Sequence, residues 1–512
     1  MPSCRQCTSA ASIPIVASAW PAEDPRLTVN VIGFLDDALG LAQAARLYVD
    51  AFRAAGVPVA TTAIAPDGPP ALRRKPIERY GKRPHDELRT PFEPAFNLAC
   101  LNGDHLLRLA RTAGGEVLAQ RPTIGQWAWE TDVLPPSWLP AFQLLDEIWA
   151  FSTFVGDNLG RLSPVPVVVI PMAVAVPDPS AVQLPIARDD RFTFLFMFDF
   201  FSTLRRKNAA GVIEAFSRAF APGEGPRLLL KTINGRLRPE AEAELRRKTA
   251  EHPDIELIDA YLDPAQNAAL LARADCYVSL HRSEGFGLTL AESMALGTPV
   301  IATGYSGNTD FTTPHNSYLV EWMPTHVGPE CEIYPAEGSW AEPDLDHAAE
   351  LMRRVWMRPE EARAKSERAR LDIHRLYAPE VVGRLARGRL ERLAQRPTGA
   401  ALGLETSDTS VALSELRLTA LEDELAFDPV RGAPPMPRGL RGVLRRLVLR
   451  LMLPFTMHER QLDRAMADAL RGLQTELARE RALRIEDRRR IQRLEERLLE
   501  YQHLDSEHAG EG

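Results

Sequence analysis

The stretch Tyr277-Val-Ser-Leu-His-Arg-Ser-Glu-Gly-Phe-Gly-Leu-Thr-Leu-Ala-Glu-Ser-Met-Ala-Leu-Gly-Thr-Pro-Val-Ile-Ala302 decides the fold. It reads as a strand over Cys276–Leu280, a glycine-bearing loop over Arg282–Gly287 and a helix over Leu288–Leu296. A Gly-Thr-Pro turn and a second strand over Val300–Ala302 complete a βαβ-type unit. Gly285 and Gly287 let backbone amides approach a ligand closely, and the following helix points the positive end of its dipole at the same spot. An anionic group, most simply a phosphate, belongs there. Glu284 lies in the loop and Glu292 about one turn inside the helix, at about 1.5 Å of rise per residue. A retaining glycosidase sets its two carboxyls about 5 Å apart across one bond. This pair instead suits opposite ends of an extended ligand such as a nucleotide sugar.

Glu284, seven residues and then Glu292, with Gly-Phe-Gly between and Ala-x-Gly-Thr-Pro-Val-Ile-Ala after, resembles the E-x7-E signature of retaining glycosyltransferases of family 4, which have the GT-B fold. The spacing alone recurs by chance on any solvated amphipathic helix. The flanking strand, glycines and Gly-Thr-Pro turn are what make it specific.

The resemblance implies an α/β architecture of two doubly wound, Rossmann-like domains facing a cleft, and transfer of a hexose from a nucleoside diphosphate sugar to a hydroxyl with retention. It carries Lys207 over as a lysine on the donor diphosphate, with Arg206 beside it and Glu284 supporting the sugar. Glu292 would accept hydrogen bonds from the ribose, and the backbone of Gly285, Phe286, Gly287, Leu288 and Thr289 would face the phosphates and sugar. Charge developing on the leaving oxygen would then be stabilised by fixed cations and amides without a metal ion or other cofactor. Family members often carry a further arginine where this chain has Phe201; Arg205 or Arg206 would substitute for it.

Composition narrows the setting. The 512 residues carry a net charge of −8, which offers no case for nucleic acid. Five cysteines, at 4, 7, 100, 276 and 331, form no metal-ligand repeat and point to a reducing compartment. Cys4-x-x-Cys7 is either a chance pair in a tail or a zinc or redox pair. No apolar run reaches the roughly 20 residues that span a bilayer.

Along the chain, residues 1–26 read as a tail and 27–176 as an N-terminal Rossmann-like acceptor domain. Residues 186–396 read as the C-terminal donor domain, beyond a proline-bearing hinge at Pro177–Pro185. The first domain opens with a strand over Leu27–Gly33, a helix over Ala42–Ala55 and a strand over Val57–Thr61, and continues with strands over Ala95–Leu101 and Thr123–Trp127 and a helix over Trp138–Leu145. The loop Gly33–Gly40 lies at the carboxyl end of the first strand, where such sheets take ligands, so Gly40 is assigned to the acceptor side; Asp36 and Asp37 touch an acceptor or cap the helix. Glu130 would bind acceptor hydroxyls, with Trp127 or Trp129 either stacking on a sugar or lying in the core. In the second domain, the cations Arg205, Arg206 and Lys207 sit between a strand over Phe192–Met197 and a helix over Ala209–Phe220, at the loop that takes up phosphate. Lys231 ends the next strand on the same cleft. A helix over Pro379–Gln395 closes the unit and, in the family, returns to the first domain.

The resemblance stops there. Residues 397–437 read as a linker and 438–512 as a basic amphipathic helix followed by a coiled coil. The basic helix suits an anionic membrane surface or the enzyme's own surface, and 459–503 suits homo-oligomerisation or a lone helix. The expected partners are therefore a GDP- or UDP-linked sugar, with mannose the first guess, and a glycan or lipid-linked acceptor in polysaccharide biosynthesis. The expected location is cytoplasmic, either free or peripheral on the inner face of the cytoplasmic membrane. A sugar-nucleotide epimerase of the same fold and a non-catalytic coiled-coil protein are the alternatives.

Overall fold

Apolar runs bounded by glycine, proline or an acidic cap form strands buried on both faces, the mark of parallel sheets covered by helices. The computed structural model describes residues 25–37, 40–64, 93–111, 116–186, 189–331 and 333–395. The tail before residue 25, the Cys4–Cys7 pair, the linker, the basic helix and the coiled coil lie outside the described residues.

The first domain comprises β1 (Val29–Gly33), α1 (Gly40–Ala54), β2 (Val59–Ala63), β3 (Phe96–Ala99), α2 (Gly103–Ala110), α3 (Glu116–Ala119), β4 (Thr123–Trp127), β5 (Glu147–Ala150), α4 (Thr153–Gly160) and β6 (Val167–Val169). Its six strands pair in parallel in the order β2-β1-β3-β4-β5-β6. Two local readings shift. β2 starts after Pro58, which has no N–H to give the ladder, and the helix expected over Trp138–Leu145 is a 3-10 helix over Pro136–Leu144 containing Pro140.

The second domain comprises β7 (Thr193–Asp199), α5 (Leu204–Lys207), α6 (Ala209–Ala219), β8 (Arg227–Ile233), α7 (Pro239–Thr249), β9 (Ile255–Asp259), α8 (Pro264–Arg273), β10 (Cys276–Ser279), α9 (Leu288–Ala295), β11 (Val300–Thr303) and β12 (Tyr318–Val320). Its parallel order is β12-β11-β10-β7-β8-β9. An antiparallel hairpin of β13 (Trp322–His326) and β14 (Ser339–Pro343) follows, then α10 (Leu345–Met357), α11 (Pro359–Tyr377) and α12 (Pro379–Ala394).

As the resemblance implies, the last helix returns to the first domain. Gly383 of α12 lies so close to α1 that a Cβ there would stand 2.0 Å from the Ala51 carbonyl oxygen. Arg387 donates to the Ala55 carbonyl at 3.1 Å, and Arg389 Nε donates to Glu147 Oε1 at 2.8 Å. Glu147 is wholly buried in β5 and also accepts from Trp149 Nε1 at 2.9 Å. Arg389→Ala would strand that carboxylate in the core, at a cost of about 3 to 5 kcal/mol. Urea denaturation should show a loss of this size, largely recovered when Glu147→Gln is combined with Arg389→Met; an unchanged midpoint for Arg389→Ala would refute the assignment.

Candidate active site at the carboxyl edge of the second sheet

The loop between β10 and α9 is built by close approach. Gly287 has φ of +92°, a left-handed conformation that side chains resist, and a Cβ there would stand 3.3 Å from Asn308 Cβ. Gly307 packs on the loop so tightly that a Cβ would meet the Gly285 carbonyl oxygen at 2.2 Å. Its amide donates to the Glu284 carbonyl at 2.9 Å, and the Glu284 amide donates to Ser306 Oγ at 2.8 Å. Ser306 itself has φ of +72°. His281, fully buried, bridges Ser279 Oγ at 3.0 Å and Asn308 Oδ1 at 2.9 Å, and burial lowers its pKa so that the ring stays neutral. The bracing of the loop by Gly307, Asn308, His281 and Ser306 depends on contacts that local sequence does not display.

Glu284 is held by cations from the turn after β7. Lys207 Nζ contacts Glu284 Oε1, and Arg206 Nη1 reaches Oε2 at 3.2 Å and the Ser283 carbonyl at 2.8 Å. Burial works to raise the Glu284 carboxyl, but the two cations outweigh it and hold it down at about 2. Arg206 is 5% exposed, and its Nη2 faces Glu130 of the first domain at 3.5 Å. Thr203 (φ 63°) and Asn208 (φ 55°) flank α5 in positive-φ conformations; Asn208 donates to the Leu280 carbonyl at 2.9 Å and accepts from the Gly211 amide. The basic turn is thereby fastened to the end of β10.

The other predicted residues divide. Phe286 is buried against Phe311 and Tyr377, which leaves its backbone to the loop. Leu288 is partly buried at the first position of α9, and Thr289 accepts from the Tyr277 hydroxyl at 2.9 Å. The Glu292 carboxylate makes no hydrogen bond or ion pair with a described residue, and burial pushes it up to about 7. Lys231, 5% exposed on β8, lies outside the Glu284 cluster; burial lowers its amine to about 8 against the pull of Asp199 and Asp259. Gly40 opens α1 with free space where a Cβ would stand.

Three expectations are corrected. Trp127 is fully buried against Trp138 and Phe142, and Trp129 is 3% exposed with Nε1 donating to the Val133 carbonyl, so neither indole face is offered to a sugar. Arg205 is drawn away to Glu330 at 2.7 Å, with its guanidinium over the Trp340 ring. The guanidinium that stands over Phe201 is that of Arg238, at 5.2 Å from the ring centroid. Arg205 is thus turned to Glu330, while Arg206 stays on Glu284 within the candidate site.

Glu292 also sets a pH dependence. Its folded pKa lies above the ordinary 4.5, so the penalty for ionising it in place is absent below about pH 4.5, grows as pH rises, and is complete above about 7. Glu292→Gln should raise the thermal midpoint at pH 8 and leave it unchanged at pH 4.5. Equal midpoints at pH 8 would contradict this.

Residues 189–321 match the model of the family described as Glycosyl transferases group 1. The sucrose-phosphate synthase of Thermosynechococcus elongatus superposes with a TM-score of 0.50 at 17% identity, covering 72% of this chain and 98% of that one. A glycosyltransferase from Rickettsia africae gives 0.50 at 14% identity, covering 72% and 99%. Anabaena HepE, solved in complex with UDP and glucose, gives 0.49 at 13% identity, covering 72% and 100%. No curated protein matches the sequence. The matched segment 189–321 carries the whole Lys207, Glu284 and Glu292 set, and the chain around it has the GT-B fold.

Proposed function

We propose that the protein is a retaining glycosyltransferase of family 4 that moves a hexose from a nucleoside diphosphate sugar to a hydroxyl of a glycan or lipid-linked acceptor in polysaccharide biosynthesis, with mannose the first candidate sugar. The observation that carries the reading is the Lys207–Glu284–Arg206 cluster on the glycine loop, one helical turn from a Glu292 carboxylate that has no partner among the described residues. Glu292 would accept two ribose hydroxyls, and Glu284 would hold the sugar. As the anomeric C–O bond to the diphosphate breaks, negative charge grows on the leaving oxygen, where Lys207 and the amides of Phe286–Thr289 stabilise it. The acceptor oxygen bonds to the anomeric carbon on the same face, and its proton leaves with the diphosphate. This scheme assigns no step to a metal ion. The setting proposed is the cytoplasmic face of a membrane; among the described residues no helix is long and apolar enough to cross one.

A thermal-shift screen against UDP-, GDP- and ADP-sugars should give a rise with one base only, because a ligand selective for the folded state stabilises it by mass action. Product analysis should then find nucleoside diphosphate released, whereas donor converted to its epimer without acceptor would overturn the reading. Lys207→Ala should lower kcat by about 100-fold or more with a smaller loss in donor affinity. Glu292→Ala should weaken nucleotide binding by about 10-fold, the loss of a charge-assisted hydrogen bond or two. In the parent protein nucleotide binding should tighten as pH rises through about 7, because only the ionised Glu292 accepts both hydroxyls. Parent-like kinetics in both variants would sink the assignment.

A further inference from the structure

The hairpin β13–β14 begins directly after the segment that matches the family, and it bridges the two domains beside the glycine loop. Its ladder continues beyond the strands, with the Val327 amide donating to the Gly338 carbonyl at 2.8 Å and the Gly328 amide to the Ala336 carbonyl at 3.0 Å. The base is fastened to the donor domain. Arg282 forks onto Glu342 with two bonds of 2.7 Å, the Ala341 amide donates to the Arg282 carbonyl, and Trp322 Nε1 donates to the Gly304 carbonyl at 2.8 Å. The other end reaches the first domain. The Ser339 amide donates to Asp132 Oδ1 at 2.6 Å, and the Tyr334 ring packs on Trp129 with centroids 4.9 Å apart. The Tyr334 hydroxyl donates to Glu130 Oε2 at 2.7 Å.

That last bond matters because of where Glu130 stands. A Cβ on Gly285 would lie 3.8 Å from Glu130 Cγ, so the side chain faces the glycine loop from across the cleft. Its Oε1 is turned to Arg206 and its Oε2 takes the phenol, while 16% of the side chain stays accessible. A carboxylate has about four acceptor sites, so two contacts leave capacity for an incoming hydroxyl. Burial raises the Tyr334 hydroxyl well above its ordinary pKa, which keeps it a donor throughout the working range. Among the described residues of the hairpin, the phenol is the group that holds Glu130 Oε2 away from the buried Arg206 guanidinium.

We infer that Tyr334 is a positioning residue for the transfer reaction: it holds Glu130 over Gly285 to receive the acceptor hydroxyl, and the hairpin that carries it closes the acceptor side of the site to bulk water. The inference rests on the glycosyl-transfer reading and adds an acceptor-side element to it. Where water takes the acceptor's place, the anomeric C–O bond to the diphosphate breaks, a C–O bond to the water oxygen forms, and a water proton leaves with the diphosphate. Tyr334 restrains that leak.

The test uses the full chain and the nucleotide sugar selected by the thermal-shift screen, with diphosphate release measured in the absence of acceptor. Tyr334→Phe keeps the ring on Trp129 and removes only the hydroxyl. It should change kcat for donor hydrolysis by at least threefold upward, leave donor KM and nucleoside diphosphate affinity within twofold, and keep a cooperative melt. Glu130→Gln should change hydrolysis in the same direction. Because one residue acts through the other, the double variant should match Glu130→Gln alone, whereas independent roles would give the product of the single effects. Additive effects, or a Tyr334→Phe rate equal to the parent's, overturn the role of Tyr334 and leave the transferase reading intact. A parent protein that binds and turns over no nucleotide sugar overturns both.

Discussion

Arg206 is a guanidinium taken almost wholly out of water, and the arrangement of the site follows from how that charge is compensated. Removing such an ion from solvent costs several kcal/mol unless good partners surround it. One partner, Glu284, belongs to the loop after β10; the other, Glu130, comes from the first domain. The ion therefore cannot be satisfied by one domain alone. The cleft is held at this spacing by further polar bonds of the same sense. Ser152 Oγ donates to the Gly285 carbonyl at 2.7 Å, and the Thr153 amide donates to Asp310 Oδ2 at 2.8 Å. Both arise at the start of α4, where Ser152 is also the cap, so one helix end serves its own termination and the joining of the domains.

Much of this was legible in the sequence because it is local. A parallel strand buried on both faces is a run of apolar residues, and Phe194-Leu-Phe-Met-Phe198 or Leu228-Leu-Leu230 has few other uses. The glycine loop announces itself because Gly287 needs a positive φ and Gly307 a missing Cβ.

What was not legible depends on residues far apart in the chain. Trp127 and Trp129 alternate along one extended segment, and either could face a ligand; Trp138 of the following 3-10 helix packs on both, and Phe142 of the same helix on Trp127. Arg238 meets Phe201 through a sheet edge, across 37 positions in sequence. The hairpin shows no apolar alternation, since Met323, Pro324 and His326 of β13 are exposed, so nothing but its pairing with β14 marks it as a strand. Its importance comes from Tyr334, more than 200 residues from the carboxylate it touches.

The site as it stands is electrically self-contained: Arg206 and Lys207 face Glu130 and Glu284. On the proposed reaction a diphosphate would bring new negative charge into this balance, and the two cations are not equally able to answer it. Arg206 holds Glu284 and the Ser283 carbonyl through Nη1 and faces Glu130 through Nη2, and leaving them would strand buried charges. The Lys207 ammonium contacts Glu284 alone among the described residues, on a flexible stem, so it can exchange that carboxylate for a phosphate oxygen without stranding its own charge. On the proposed reaction that exchange has a second effect. When Lys207 turns to the phosphate, one oxygen of Glu284 is freed at the place where the sugar hydroxyls arrive, while Arg206 keeps the other in position. Arrival of the leaving group and exposure of the sugar-holding carboxylate then become one event, and the rigid arginine beside the mobile lysine is what makes the coupling possible.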